Sequence, residues 1–375
     1  MKHFLISCGG TGGHLAPGIA LAEGLAARGH TATLLVSEKK IDARLAAKYP
    51  GLKFLTVPGA PLAGGPAGLA RCLWTQARGL AYCRRLVGAT RPSAVVGFGG
   101  FTTAALALAG RLGGVPVALH EANRVPGRAV RVLARLARRV YLPPGVPLPG
   151  VRDAVRRHAA LPVRAEIARL RRPEACARLG LDPARRILAV LGGSQGAAAL
   201  NDWARSERPA LAALGVQLCC VTGPDKGGAE RENRSPPDAG DAGAAVFLPF
   251  CDDMAALLSA ADLVVSRAGA GTLAELARCG TPAVLVPYPH AADNHQQANA
   301  TWFAQEGGAL VVEQPALGGL GTLVRGLLAD DARLGRLRAG VRQIDRPGSL
   351  DLILDDLETL NQPPPAPEAI QFTLA

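Results

Sequence analysis

Three glycine-rich stretches carry side chains that could do chemistry. The first, Cys8-Gly-Gly-Thr-Gly-Gly-His14, follows a short apolar run and precedes a helical pattern. A glycine loop at a helix N-terminus exposes backbone N–H groups and the positive end of the helix dipole, so a phosphate or sugar hydroxyl can approach closely. His14, which ends the loop, exchanges a proton near neutral pH; packing against the loop or capping it is the other role open to it. The second stretch, Gly192-Gly-Ser-Gln-Gly196, repeats the arrangement, and the third, Ser266-Arg-Ala-Gly-Ala-Gly-Thr-Leu-Ala-Glu275, adds a threonine and a glutamate three residues apart. None has the spacing of a standard nucleotide motif. Counted from Gly10, the last glycine of a dinucleotide fingerprint would fall on Leu15, and no Gly-Lys-Ser/Thr sequence occurs. Asp252 and Asp253 are adjacent, which suits the cap of a following helix better than a DxD metal site. The eight cysteines form no CxxC pair, so neither a zinc site nor a disulfide framework is expected.

Strands and helices must hold these loops. HFLIS (3–7) and RILAVL (186–191) each lead into a glycine loop and open an alternation of apolar runs with helical stretches. TATLLV, SAVVGFG and VPVALHE follow in the first half, and VQLCCVTG, AAVFLPF, DLVVSRAG and PAVLVPY in the second. Apolar runs without strict alternation predict parallel strands covered by helices on both faces. The chain has 375 residues, and one core stops growing at about 250–300. Two Rossmann-like α/β units are therefore expected, 1–160 and 161–347, followed by a helix over 348–361 packing back on the first unit and a proline-rich tail over 362–375. The apolar run before the first glycines is shorter than a signal-peptide core and reads as a strand. The least polar region, 92–119, is divided by glycines and prolines, so no membrane span is expected.

Charge is unevenly distributed. Residues 1–160 hold 22 Lys and Arg against 5 Asp and Glu, and the remainder 20 against 25, so the net charge of +12 originates in the first half. Arg124, Arg128, Arg131, Arg135 and Arg138 recur at spacings of three and four, which predicts one helix face. Such a stripe suits an anionic membrane surface or a phosphate-rich ligand; a merely solvated face would show the same spacing. Nucleic acid is not an expected partner, because no recognition motif is present and aromatic residues make up 4%.

GGTGGHLAPGIALAEGL, HEANRVPG, PVR, LGGSQGAAALN, PFCDDMAALLSAADLVVSRAGAGTLAELARCGTPAVLVPYP and NHQQANA occur in the order found in the bacterial MurG family, which the chain resembles over most of residues 1–340. The resemblance implies a GT-B fold, two Rossmann-like domains with parallel sheets facing a central cleft. It further implies inverting transfer of GlcNAc from UDP-GlcNAc to the 4-hydroxyl of lipid I, undecaprenyl-diphospho-MurNAc-pentapeptide, giving lipid II at the cytoplasmic face of the membrane. Gly9, Gly10, Thr11, Gly12 and Gly13, with Gly99 and Gly100, would meet the acceptor diphosphate, Thr11, Gly12 and Gly13 also bordering the donor.

Inverting transfer needs a base for the acceptor hydroxyl and positive potential on the departing diphosphate. His14 is the base candidate, with Glu121 able to share or replace that role. Ser194 and Gln195 would offer donors to the phosphates, and Arg164 of PVR a fixed charge. Ala270, Gly271 and Thr272 would also face phosphate, and Glu275 would hold both ribose hydroxyls, although Thr272 and Glu275 have the spacing of a capping box. His295, Gln296 and Asn299 are neutral partners for GlcNAc hydroxyls. By resemblance, Asn123 adds a sugar contact and the backbone near Phe250 and Cys251 borders uracil. No cofactor or metal is expected. The chain departs from the family pattern at Ala122, where glutamine is usual, at Leu161, where asparagine is usual, at 61–65 (PLAGG) and at 102–106 (TTAAL). These departures leave open another glycolipid acceptor, or a protein that binds the sugar nucleotide without turnover.

Overall fold

Short apolar runs become the central parallel strands here because they are buried on both faces, where β-branched and leucine side chains pack well, while the edge strands stay partly exposed. The computed structural model describes residues 1–10, 12–38, 40–59, 65–193, 196–223 and 245–361. The expected PLAGG departure, apart from Gly65, and the proline-rich tail lie outside them.

The first unit begins with β1 (His3–Ser7), α1 (Gly12–Ala27), β2 (Thr31–Val36), α2 (Lys40–Ala46) and β3 (Lys53–Thr56). It continues through α3 (Gly65–Thr90), β4 (Ala94–Gly97), α4 (Phe101–Leu112), β5 (Val117–His120), α5 (Arg128–Leu133), β6 (Arg139–Leu142) and β7 (Arg156–His158). Its seven strands are parallel in the order β3-β2-β1-β4-β5-β6-β7. Phe4 and Ile6 enter a core shared with Ile19 of α1, while Leu5 faces the opposite core with Leu106 of α4, the period of two that a strand imposes.

The second unit holds α6 (Arg172–Leu179), β8 (Ile187–Leu191), α7 (Ala198–Ala213), β9 (Gln217–Val221), β10 (Ala245–Leu248), α8 (Met254–Ala260) and β11 (Leu263–Ser266). Then follow α9 (Ala270–Cys279), β12 (Ala283–Leu285), α10 (His295–Gln305), β13 (Ala309–Val311), α11 (Leu320–Leu328) and α12 (Asp331–Ile344). Its six parallel strands run β10-β9-β8-β11-β12-β13. The chain order reverses between β1 and β4 in one sheet and between β8 and β11 in the other. Ligands of open α/β sheets bind at such switch points, beyond the carboxyl ends of the strands. Every glycine loop singled out above leaves one of these four strands.

The chain crosses between the units twice. After α12 it returns as α13 (Ser349–Thr359), whose Ile353, Leu354 and Leu357 are buried in the core beside Phe4 and Ile19. Asp356 of α13 accepts hydrogen bonds from Arg139 Nε (2.6 Å) and the Tyr141 hydroxyl (2.8 Å). The two crossings touch where Ala160 N donates to Ser349 Oγ at 3.1 Å.

The arginine stripe does not lie on one helix. Glu121 Oε1 accepts from Asn123 N (2.8 Å) and Asn123 Nδ2 (3.0 Å), and Oε2 accepts from Gly127 N (2.7 Å), which fixes 121–127 as a loop ahead of α5. Pro126 reinforces this, having no N–H for a helix interior. After Leu133 the chain must return to the sheet, and Arg138 N already bonds Val117 O at 2.8 Å. Only Arg128 and Arg131 are therefore helical; Arg124 is in the loop, Arg135 in an exposed turn and Arg138 beside β6.

Candidate active site

The acceptor-side loop springs from β1. Gly9 and Gly10 are buried, Gly12 and Gly13 open α1, and Thr11 lies outside the described residues. His14, half-buried on the first turn of α1, stands against the loop after β4. Gly99 and Gly100 there have φ of +100° and +76°. A Cβ at Gly99 would come within 3.1 Å of His14 Nε2, and one at Gly100 within 3.4 Å of Nδ1 and 2.5 Å of Gly9 O. Glycine is thus required twice over, by backbone conformation and by the imidazole beside it.

Glu121 has a different place from that expected of a base. It is 4% exposed and its two oxygens are committed to the three N–H groups of its own loop. It positions Asn123 and the start of α5. Asn123 Oδ1 in turn accepts from Asn299 Nδ2 at 3.1 Å. Asn299, 2% exposed on α10, also donates to Ala268 O (3.1 Å) and accepts from Arg124 N (2.9 Å). All the bonding capacity of the Asn299 amide apart from one lone pair is spent. It joins the two units, with one Oδ1 acceptor position left over.

On the donor side, Gly269 is the N-cap of α9 without a side-chain cap, so the amides of Ala270, Gly271 and Thr272 occupy the first helical turn. Thr272 is the third helical residue, which rules out the capping-box reading of Thr272 and Glu275. Burial raises the Glu275 carboxyl above its ordinary range, and Arg164 opposes the shift. Arg164 Nη2 donates to Glu275 Oε1 at 3.0 Å, while Nη1 donates to Glu166 Oε1 (2.9 Å) and the Tyr49 hydroxyl (3.1 Å). Burial acts to lower the Arg164 guanidinium, but Glu275, Tyr49 and Glu166 outweigh it and raise its pKa. Arg164 is therefore a buried strut that aims Glu275, rather than a charge exposed to phosphate.

Ser194 and Gln195 lie outside the described residues. His295 opens α10, its Nδ1 2.7 Å from Ala292 O, and Gln296 Oε1 accepts from Tyr288 N at 2.9 Å. The Arg44 guanidinium lies 4.0 Å above the Phe250 ring, and Cys251 is buried, which pushes its thiol up to about 11. Asp253 caps α8 through Ala256 N (2.9 Å). Asp252 pairs with Lys48 and Arg44 of the first unit, at 3.3 and 3.7 Å.

Contacts between the units supplied residues that the sequence did not announce. Tyr49 meets Arg164, Glu23 Oε2 accepts from Ala165 N at 3.2 Å, and Asp293 pairs with Arg131 (2.6 Å) and Arg128 (3.4 Å). Asp293 has φ +50°, an uncommon left-handed conformation for a side-chain-bearing residue, held where it meets both arginines. Arg124 stacks 4.8 Å from the Trp302 ring. Ala122 and Leu161, two departures from the family pattern, both line a largely apolar cavity of about 80 Å³ between the units.

Two family models match, the glycosyltransferase family 28 N-terminal domain over residues 4–142 and its C-terminal domain over 187–334. A UDP-N-acetylglucosamine--N-acetylmuramyl-(pentapeptide) pyrophosphoryl-undecaprenol N-acetylglucosamine transferase from Opitutus terrae is 57% identical over 363 residues, 96% of each chain. The protein of the same name from Nitratidesulfovibrio vulgaris is 38% identical over 368 residues, 96% of this chain and 98% of that one. The crystal structure of Acinetobacter baumannii MurG aligns with a TM-score of 0.71 at 28% identity, covering 96% of this chain and all of that one. The glycosyltransferase of kitacinnamycin, at 19% identity and a TM-score of 0.64, shares the fold. With both halves matched and the two parallel sheets in place, the chain belongs to the MurG group of glycosyltransferase family 28 and is a glycosyltransferase of GT-B architecture.

Proposed function

We propose that the chain transfers GlcNAc from UDP-GlcNAc to the 4-hydroxyl of the MurNAc residue of lipid I, inverting the anomeric carbon and yielding lipid II and UDP. The acceptor oxygen attacks the anomeric carbon as the bond from that carbon to the diphosphate oxygen breaks. The electron pair leaves with UDP, and the hydroxyl proton passes to His14. The observation that carries this reading is the pairing of switch points: His14 against Gly99 and Gly100 in the first sheet, and the uncapped start of α9 with Glu275 in the second, with α1 packed on α9. The α9 amides offer the departing diphosphate positive potential without a metal ion. Glu275, aimed by Arg164, accepts the ribose hydroxyls, and His295 and Gln296 lie at the start of α10 for the sugar.

Membrane contact belongs to the basic first unit. Leu73 and Trp74 on α3 are 62% and 65% exposed, and Arg71 and Arg78 are exposed three and four residues from Trp74 on the same helix. An apolar pair flanked by cations suits an anionic membrane surface holding a polyprenyl acceptor. Arg128, Arg131 and Arg135 add exposed cations to the same unit, although not as one helix face, and the first two also pair with Asp293. No described helix is long and apolar enough to cross a membrane.

The test is transfer of labelled GlcNAc from UDP-GlcNAc to a lipid I analogue in excess chelator, beside His14→Ala and Glu275→Ala. Turnover is expected, with His14→Ala losing chiefly kcat and Glu275→Ala chiefly donor affinity. Donor binding without turnover in the parent would overturn the acceptor assignment.

A further inference from the structure

The second unit contains an open cavity of about 440 Å³ that the transfer reaction does not use. Cys279, Gly280 and Thr281 at the C-terminal end of α9 form part of its wall, so it lies at the other end of the helix that presents Ala270 and Gly271 to the cleft. Ten residues of helix separate these ends by about 15 Å. Five arginines line the cavity, Arg169, Arg172, Arg185, Arg186 and Arg338, against the single carboxylate of Asp262. Arg342 of α12 stands beside Gly280, its Nε 3.4 Å from where a Cβ would lie there, with Arg169 Nη1 at 3.7 Å. Residues 161–375 carry fewer cations than anions, 20 against 25, so this concentration is local rather than compositional.

The one carboxylate is already occupied. Asp262, 3% exposed, accepts from Arg172 Nη2 (3.0 Å), Arg186 Nη1 (3.1 Å) and Ile187 N (2.9 Å), and Arg338 approaches only to 4.0 Å. Arg169 and Arg342 have no hydrogen-bond or ion-pair partner among the described residues. Burial lowers the pKa of Arg169 and of Arg338; Asp262 opposes the shift at Arg338, and neighbouring guanidinium groups add to it at both. Arg169, Arg338 and Arg342 thus crowd together at this cavity, and its one carboxylate, Asp262, reaches only Arg338 of the three, at 4.0 Å.

We propose that this cavity is a second ligand site, which binds a phosphate-type anion of two or more charges through Arg169, Arg338 and Arg342. Guanidinium forks match phosphate oxygens in pairs, and a dianion there would convert mutual repulsion into attraction. No aromatic side chain is among the lining residues, so the ligand is recognised by its phosphates and not by a stacked base. A soluble diphosphate and an anionic lipid headgroup present the same chemistry.

Calorimetry with inorganic diphosphate on the full-length protein, with UDP filling the donor site, tests this. Binding of one diphosphate per chain is expected, weakening with salt, and falling at least tenfold in Arg169→Ala/Arg338→Ala/Arg342→Ala while UDP affinity is retained. Absence of diphosphate binding in the UDP-filled parent, or equal binding in the variant, would overturn the site. Should the triple variant not fold, Arg169→Ala and Arg342→Ala singly leave no partner unpaired and should each weaken binding several-fold; unchanged binding in both would refute it equally. A parallel sedimentation with phosphatidylglycerol vesicles separates the sources. Diphosphate-sensitive sedimentation that the triple variant loses identifies a lipid headgroup; diphosphate binding with identical sedimentation of parent and variant identifies a soluble anion.

Discussion

Arg164 Nη2 lies 3.0 Å from Glu275 Oε1, and Nη1 of the same guanidinium lies 3.1 Å from the Tyr49 hydroxyl, so one side chain ties the donor-side carboxylate to the opposite unit. The arginine and glutamate side chains are 8% and 15% exposed. Removing one partner of a buried pair leaves an uncompensated charge, at a cost of about 3–5 kcal/mol. Arg164→Ala is expected to lose that much in urea unfolding and to raise the KM for UDP-GlcNAc more than it lowers kcat. A variant with parental KM would show that Glu275 keeps its aim without Arg164.

Gly99→Ala should act through His14. The added methyl would lie 3.1 Å from Nε2 at a φ of +100°. Gly114 is the control, since its φ is +71° and nothing lies within 4 Å of a Cβ there. Both variants should lose about 1–2 kcal/mol from backbone strain, but only Gly99→Ala should lower kcat, by about tenfold, which corresponds to about 1.4 kcal/mol. Equal kcat in the two variants would remove His14 from the chemistry.

Glu121→Gln separates a positioning residue from a base. The amide can satisfy the Asn123 side or the Gly127 side but not both, which should cost about 1–3 kcal/mol of stability. The acidic limb of the kcat profile should keep its position, because the carboxylate serves its loop. A limb that disappears would make Glu121 the base.

His120, 1% exposed and stacked 5.3 Å from the Phe98 ring, gives the fold an acid sensitivity. Burial pushes its pKa down to about 4, opposed only in part by the Ala160 backbone. In the unfolded chain the ring titrates near its ordinary value of about 6.5. Above that pH both states are neutral and the residue adds no pH dependence. As pH falls from about 6.5 towards 4, the unfolded state gains a proton that the folded state refuses, and stability drops by on the order of 3 kcal/mol. Urea titrations of His120→Phe across this range should show a shallower slope than the parent; identical slopes would place the acid sensitivity elsewhere.

The strands and glycine loops were legible in the sequence because both are local. A doubly covered parallel strand writes itself as a continuous apolar run, and a strand-to-helix turn as glycines, so β1, β4, β8 and β11 were found together with their loops. Periodicity failed for the arginines between 124 and 138, where the spacing of a helix face was produced by a loop, a helix of six residues and a strand start. The Glu121 carboxylate holds back the start of that helix and the demand of β6 for its place beside β5 ends it, and neither leaves a mark in arginine spacing. Asn299 and Arg164 were singled out by type, but their partners lie 176 and 111 residues away. Pairings at that range depend on how two sheets meet, which no short window records.

The bond from Ala160 N to Ser349 Oγ sets the two crossings side by side. A body tethered by one strand of chain can rotate in any direction, whereas two adjacent tethers leave mainly the swing about the line through them. Opening of the cleft is then a movement with one principal degree of freedom. His14 and Glu275, carried on opposite bodies, would return to the same alignment at each closure, so acceptor and donor meet by mechanical constraint rather than by search.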